Sequence, residues 1–117
     1  MKFEVKFYEA LGGKIPAEEF LNEIWESQPK LAKHTMSNLK KLEDSERHGP
    51  PVTKHLGDNL FEVRTGSINI ARIFFSYGAD QTIVLLSGFV KKSSSTPQKY
   101  LDIAYKLRDE FEQRSDQ

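Results

Sequence analysis

Residues Ile83 to Val90 read IVLLSGFV, apolar almost throughout. A run of that length without polar alternation fits a strand covered on both faces, the centre of a layered sheet. Crossing a bilayer takes about 20 apolar residues, so the same run is no membrane span and no membrane partner is expected. Gly88 inside it marks a bulge or a close backbone approach. The flanking segments must then supply neighbouring strands. Phe3, Val5 and Phe7 alternate with Lys2, Glu4 and Lys6, a period of two that predicts a half-buried strand. Phe61 and Val63 alternate with Glu62 and Arg64, predicting a strand that buries the first pair and shows the second. Gly66-Ser67 is a candidate hairpin turn, and the following strand is expected from about Asn69 to Ser76, with Ala71, Ile73 and Phe75 on one face and Ile70, Arg72 and Phe74 on the other. A second turn is expected over Tyr77-Gly78-Ala79-Asp80.

The helical signals lie between the first strand and the rest. Pro16 with Glu18 and Glu19 opens one helix, the proline in its first turn and the acids facing the dipole, with Ala17, Phe20, Leu21, Ile24 and Trp25 as its apolar stripe. Pro29 opens a second, with Ala32, Met36, Leu39 and Leu42 inward, and the two form a hairpin joined near Ser27 and Gln28. Gly49-Pro50-Pro51 ends this half, and Val52 to Asn59 reads as a loop carrying Lys54 and His55. Thr96 as cap and Pro97 at the first helical position start a final helix with Tyr100, Ala104, Leu107 and Phe111 on one side. The expected order is strand, helix, helix, three strands, helix. The class is α+β, a mostly antiparallel sheet with its helices on one face, in one domain spanning residues 1–117.

The chain has no cysteine, which excludes disulfides, thiolate zinc sites and a cysteine nucleophile and fits a reducing cytosol. The N-terminus alternates apolar and polar residues and shows no signal-peptide core, so a cytoplasmic protein is expected. Seventeen basic residues balance seventeen acidic ones. A nucleic-acid binder usually carries a basic excess, so any such role here needs a local basic face. The segment from Lys91 to Lys99 holds three lysines and no acid, whereas acids gather in Glu18 to Glu26 and Asp109 to Asp116.

Four pieces in order, Leu60-Phe61-Glu62-Val63-Arg64, Ala71-Arg72-Ile73-Phe74-Phe75, Leu85-Leu86-Ser87-Gly88-Phe89-Val90-Lys91-Lys92 and Thr96-Pro97, resemble the RelE/ParE toxin superfamily, within it the phage-derived, HigB-like branch. Lys54-His55-Leu56-Gly57 is similar to the loop preceding the first of these. The resemblance implies a RelE-like fold, with two N-terminal helices across a compact sheet and a C-terminal helix. It also implies the toxin of a type II toxin–antitoxin system, an endoribonuclease that cuts mRNA on the ribosome. A HigA-like helix-turn-helix antitoxin would neutralise it, and operator DNA would be met only through that antitoxin. ParE relatives share the fold and poison DNA gyrase, so a gyrase inhibitor and a non-catalytic binding module are the alternatives. RelE itself carries lysines where this chain has Leu60 and Glu62.

Cleavage through the RNA's own 2′-hydroxyl needs a group to take the 2′ proton, charge to stabilise the phosphorane and an acid for the leaving 5′ oxygen. No metal or other cofactor is required, and none is expected, because the chain shows no carboxylate–histidine spacing of a metal site. Arg64 and Arg72 suit a phosphate through their guanidinium forks, and pairing through the Gly66 turn would set them on one face. Adjacent residues of a strand point opposite ways, so only one of Lys91 and Lys92 is expected to face that site. The resemblance favours Lys92 for catalysis, leaving Lys91 to bind RNA. It also offers His55 as a base, and Glu62 as a base or a holder of Arg64. Lys54 is expected to bind a phosphate, and Tyr100 either stacks on a base or joins the core. His34 and His48 read as structural or exposed.

Overall fold

The computed structural model describes residues 2–66, 70–91 and 96–115. They form β1 (Glu4–Phe7), α1 (Pro16–Ser27), α2 (Pro29–Asp44), β2 (Thr53–Gly57), β3 (Leu60–Thr65), β4 (Ile70–Gly78), β5 (Thr82–Lys91) and α3 (Gln98–Ser115). The sheet order is β1-β5-β4-β3-β2. Four strands form an antiparallel meander, and β1 closes the sheet by running parallel to β5. The α+β class and the cover on both faces of β5, an inner strand, are as the apolar run implies. The segment read as a loop before Asn59 is instead a strand. Val52 to Asn59 has no clean alternation, but Thr53, Lys54 and His55 pair with Val63, Glu62 and Phe61. The turn that follows, Asp58-Asn59, has positive φ at both residues, the twist a two-residue hairpin needs. The Asn59 side chain then locks it, donating to the Tyr77 carbonyl and accepting from the Tyr77 amide.

Prolines set the helical hairpin. Pro16 and Pro29 each start a helix where a missing N–H costs nothing. One residue, Gln28, ends α1 by donating its N–H to Ile24 and begins α2 by accepting from Ala32. Ala17, Phe20, Leu21 and Ile24 of α1 and Ala32, Leu39 and Leu42 of α2 pack on Val63, Ala71, Ile73, Phe75, Ile83 and Leu85. Two stripe members fall outside this core: Trp25 is 44% exposed and Met36 42%. Thr35 is buried in the α2 stripe, its hydroxyl satisfied by the Leu31 carbonyl. Phe7, expected on a buried face, is 40% exposed at the sheet edge.

The expectation that all helices share one face is corrected. The α3 residues Ala104 and Leu107 pack with Leu60, Phe74, Val84, Leu86 and Phe89, the opposite face of the sheet from α1 and α2. The fold is therefore three-layered. The apolar run carried this information, because β5 needs cover on both faces and one helical hairpin supplies only one. The C-terminal half of α3 is tied to the chain after β1, where Glu110 Oε1 accepts from the Tyr8 hydroxyl at 2.6 Å and from the Leu11 amide at 2.8 Å. No helix among the described residues is long and apolar enough to cross a membrane.

Candidate functional site

The site lies on the α3 side of the sheet. Arg64 and Arg72 are direct cross-strand partners, so their side chains share a face; the expected Gly66-Ser67 turn falls partly outside the described residues. Like charges placed opposite each other repel, and the sheet answers with Glu62. That residue was expected to point to solvent beside Arg64, but its side chain is fully buried. Its Oε1 accepts from Arg72 Nη1 at 2.5 Å and lies 4.0 Å from Arg64 Nε. The reason is the third layer: with both sheet faces covered, alternation no longer separates inside from outside on β3. Glu62 thus holds Arg72 rather than Arg64. Burial lowers the Arg72 pKa from its ordinary value, against the raising pull of Glu62. The Arg72 side chain is 4% exposed, while that of Arg64 is 39% exposed and free to meet a ligand. Asn38 of α2 steadies this stretch by donating to the Arg64 carbonyl and the Thr65 hydroxyl.

Lys54 stands opposite Glu62 on β2 and is exposed. Lys91 ends β5, is buried, and feels Arg72, Glu62, Arg64 and Lys54. Desolvation first, and then repulsion from Arg72, push its pKa down. A bulge decides that Lys91 is the lysine turned this way. Phe75 pairs with Leu85 and Phe74 with Ser87, so Leu86 is an extra residue. The extra residue reverses the face parity of everything after it. Ile83 and Leu85 face α1, but so do Gly88 and Val90, while Phe89 and Lys91 join Arg72 on the α3 side. Without the bulge, Lys92 would have continued the face of Val84 and Leu86. Lys92 itself lies outside the described residues.

Other expectations resolve unevenly. His55 stacks on Phe61 at 4.5 Å, and Phe61 packs with the α1/α2 core, so His55 lies on the opposite face from Arg64, Arg72 and Glu62. Tyr100 packs on Phe89, ring centroids 4.3 Å apart, with the Lys99 ammonium 4.9 Å from its own centroid. It is a half-buried part of the α3 core. α3 begins at Gln98, directly after the Thr96-Pro97 pair. Pro97 offers the carbonyl that Tyr100 N–H meets, and the Thr96 hydroxyl lies 3.5 Å from Arg72 Nη1. Gly88 is the close approach, since a Cβ there would sit 2.4 Å from Phe20 Cδ2. His48 is structural, bridging the Tyr77 hydroxyl and the Leu42 carbonyl. Sequence reasoning did not find Thr96 as a neighbour of the cluster, and no local signal marks it.

The arrangement is a cation cluster of Lys54, Arg64, Arg72 and Lys91 around one carboxylate. Glu62 Oε2, Arg72 Nε and Ser87 Oγ are buried and have no hydrogen-bond partner. Such groups each carry a desolvation penalty, and it is the excess of four cations over the one Glu62 carboxylate that suits the site to an anion. Among the described residues no group of three or more histidines, aspartates or glutamates is placed to hold a metal ion. Residues 22–109, well over half of the chain and including every member of the cluster, match the family described as phage-derived protein Gp49-like (DUF891). The chain belongs to that family. Gp49-like proteins are a toxin-like, phage-derived group associated with the toxins of toxin–antitoxin pairs. No curated protein matches the chain. As a Gp49-like protein with a RelE-like fold, it gathers these cations on the α3 side of the sheet.

Proposed function

We propose that this Gp49-like protein is the HigB-like toxin of a type II toxin–antitoxin pair, acting in the cytoplasm as an endoribonuclease on ribosome-bound mRNA. A HigA-like antitoxin is its partner. The observation that carries the reading is the cluster of Lys54, Arg64, Arg72 and Lys91 about a single, already engaged carboxylate, on a chain whose net charge is zero. A phosphodiester is the ligand such a site fits, because two forks and two ammonium groups can neutralise a dianionic phosphorane.

In the proposed reaction the RNA 2′ oxygen attacks phosphorus as its proton passes to solvent water. The bond to the 5′ oxygen then breaks, giving a 2′,3′-cyclic phosphate and a 5′-hydroxyl. Arg64, with the more exposed head, meets the non-bridging oxygens first, and Arg72 adds fixed charge from behind. Lys91 protonates the departing 5′ oxygen, and its lowered pKa makes the proton easier to give. Lys54 binds a neighbouring phosphate, and Lys92 remains a candidate for the same charge-stabilising work. Glu62 acts as a positioning residue. Its engagement with Arg72 and its burial argue against proton abstraction. The distance of His55 from this face argues against it as the base, and the core packing of Tyr100 against base stacking.

The test is to induce wild type and Arg64→Ala in cells lacking any antitoxin and to map mRNA 5′ ends. Arg64 is half-exposed, so the variant should fold. Growth arrest with new cuts in translated frames for wild type alone is expected. Arrest by both proteins with intact mRNA would overturn the nuclease reading in favour of gyrase inhibition. No arrest by soluble wild type would leave a binding module.

A further inference from the structure

The backbone of β5 outruns its neighbour. β1 pairs only with Thr82 to Leu85, and the last bond on that side runs from the Tyr8 amide to the Leu85 carbonyl. The chain then turns away, because the Tyr8 hydroxyl and the Leu11 amide are both held by Glu110 on α3. Among the described residues nothing pairs with Gly88–Lys91 on the β1 side. Alternate residues there turn N–H and C=O outward along about 13 Å of strand, at about 3.3 Å per residue.

This open edge forms the floor of a groove of about 520 Å³. Phe20, Glu23 and Ile24 of α1 line one side, and Pro97, Lys99 and Tyr100 the other. The outer edges of the sheet are blunted in the usual ways. β2 exposes Lys54 and His55 and carries a bulge, and β1 is four residues long with Glu4 and Lys6 exposed. The edge at Gly88, Phe89 and Val90 has no such device. Its α1 wall is apolar at Phe20 and Ile24, and its α3 wall carries Lys99 beside Lys91.

We propose that this groove takes an extended segment of a partner protein as an added strand beside Gly88–Lys91, apolar residues toward Phe20 and Ile24 and acidic residues toward Lys91 and Lys99. Main-chain bonds would give affinity and the alternating side chains specificity. Charge complementarity selects a peptide acidic on its α3-facing side, where Lys91 and Lys99 outnumber the single acid of the lining, Glu23, while its apolar positions cover ring and aliphatic surface. The groove shares Lys91 with the cation cluster, and Lys99 belongs to the groove alone.

The probe is a library of linear twelve-residue peptides displayed on phage and selected on the folded protein. The expected winners alternate apolar and acidic residues. Bound as synthetic peptides, they should perturb the amides of Gly88–Lys91, and N-methylation of one alternate set of peptide amides should weaken binding at least tenfold while the other set is tolerated. Lys99→Glu, an exposed change away from the core, should weaken the acidic peptides at least fivefold, and Lys91→Glu should do the same. Perturbed amides elsewhere, indifference to N-methylation in both sets, or no selected peptide would overturn the proposal. Concentration-dependent dimerisation through Gly88–Lys91 would assign the edge to a second copy, and an oligoribonucleotide perturbing those amides where peptides do not would assign it to RNA. Either result overturns it too.

Discussion

Removing Arg72 should damage the protein far more than removing Arg72 and Glu62 together. The pair is buried, with Glu62 fully inaccessible and Arg72 3% exposed. Two unit charges about 4 Å apart attract by about 4 kcal/mol at an effective dielectric of 20. Against that, dehydrating each ion costs several kcal/mol. Here the repayment is incomplete, because Glu62 Oε2 and Arg72 Nε have no partner. The net worth of the pair is therefore near zero or negative. Breaking it is another matter: in Arg72→Met the carboxylate keeps only the Arg64 Nε at 4.0 Å, and loss of about 3–5 kcal/mol is expected. In Glu62→Leu/Arg72→Met that loss should shrink to within about 1 kcal/mol of wild type, or reverse into stabilisation. Urea unfolding at pH 7 of wild type, both single variants and the double variant closes the cycle. A double variant as unstable as the sum of the singles would refute the argument, since it would mean that the two side chains do not share one buried charge problem. A stable double variant that still cuts RNA at the wild-type rate would refute the proposed role of Arg72 as fixed charge behind the phosphorane.

Lys91 gives a pH prediction. Its folded pKa is below the ordinary 10.5, so between the two values the unfolded chain holds more protons, and stability should rise with pH as that window is crossed. The Lys91 side-chain NMR titration should move up in Arg72→Met, which removes the nearest repulsion; an unmoved midpoint would sink the assignment. Gly88→Ala places a methyl 2.4 Å from Phe20 Cδ2 and 3.0 Å from the Arg72 carbonyl. It should cost about 1–3 kcal/mol, read as a lower Tm and partly recovered by Phe20→Leu; no recovery would mean the backbone carbonyl sets the limit. Tyr8→Phe removes one donor to Glu110 and should cost about 0.5–1.5 kcal/mol. Hydrogen exchange of the Leu11 amide should quicken with it, and unchanged exchange would show that Glu110 holds Leu11 alone.

Much of the fold was legible because its elements carry strong local signals. Pro16 and Pro29 fix helix starts, and the period of two in Phe3 to Phe7 and Phe61 to Arg64 fixes strands. What escaped is what local signals do not encode. Whether Trp25 and Met36 face a neighbour depends on how far the sheet extends beneath the hairpin. β2 has mixed polarity because it is an edge, and edges are polar for the same reason that loops are. Glu62 was misread because alternation assigns a residue to a face without saying whether that face is covered.

The site was legible in its residue types and illegible in its parity. Arg64 and Arg72 could be brought together because β3 and β4 are consecutive antiparallel strands, although their exact register, Arg64 opposite Arg72, is not what a two-residue turn at Gly66-Ser67 gives. Lys91 and Lys92 could not be told apart, because the strand between them and any fixed reference contains one unpaired residue, Leu86. Composition hides a bulge, since IVLLSGFV reads as a strand with or without it. Yet the bulge has a physical cause within the fold. The side of β5 that carries Ile83 and Leu85 must later receive Phe20 against Gly88. Strict alternation would instead bring Ser87 to that position and Phe89 to the place opposite Ala71 that Val90 now takes. Shifting parity puts the one residue without a side chain under Phe20, Phe89 under Tyr100, and a lysine beside Arg72. The packing demand of α1 and the charge of the site are met by the same extra residue.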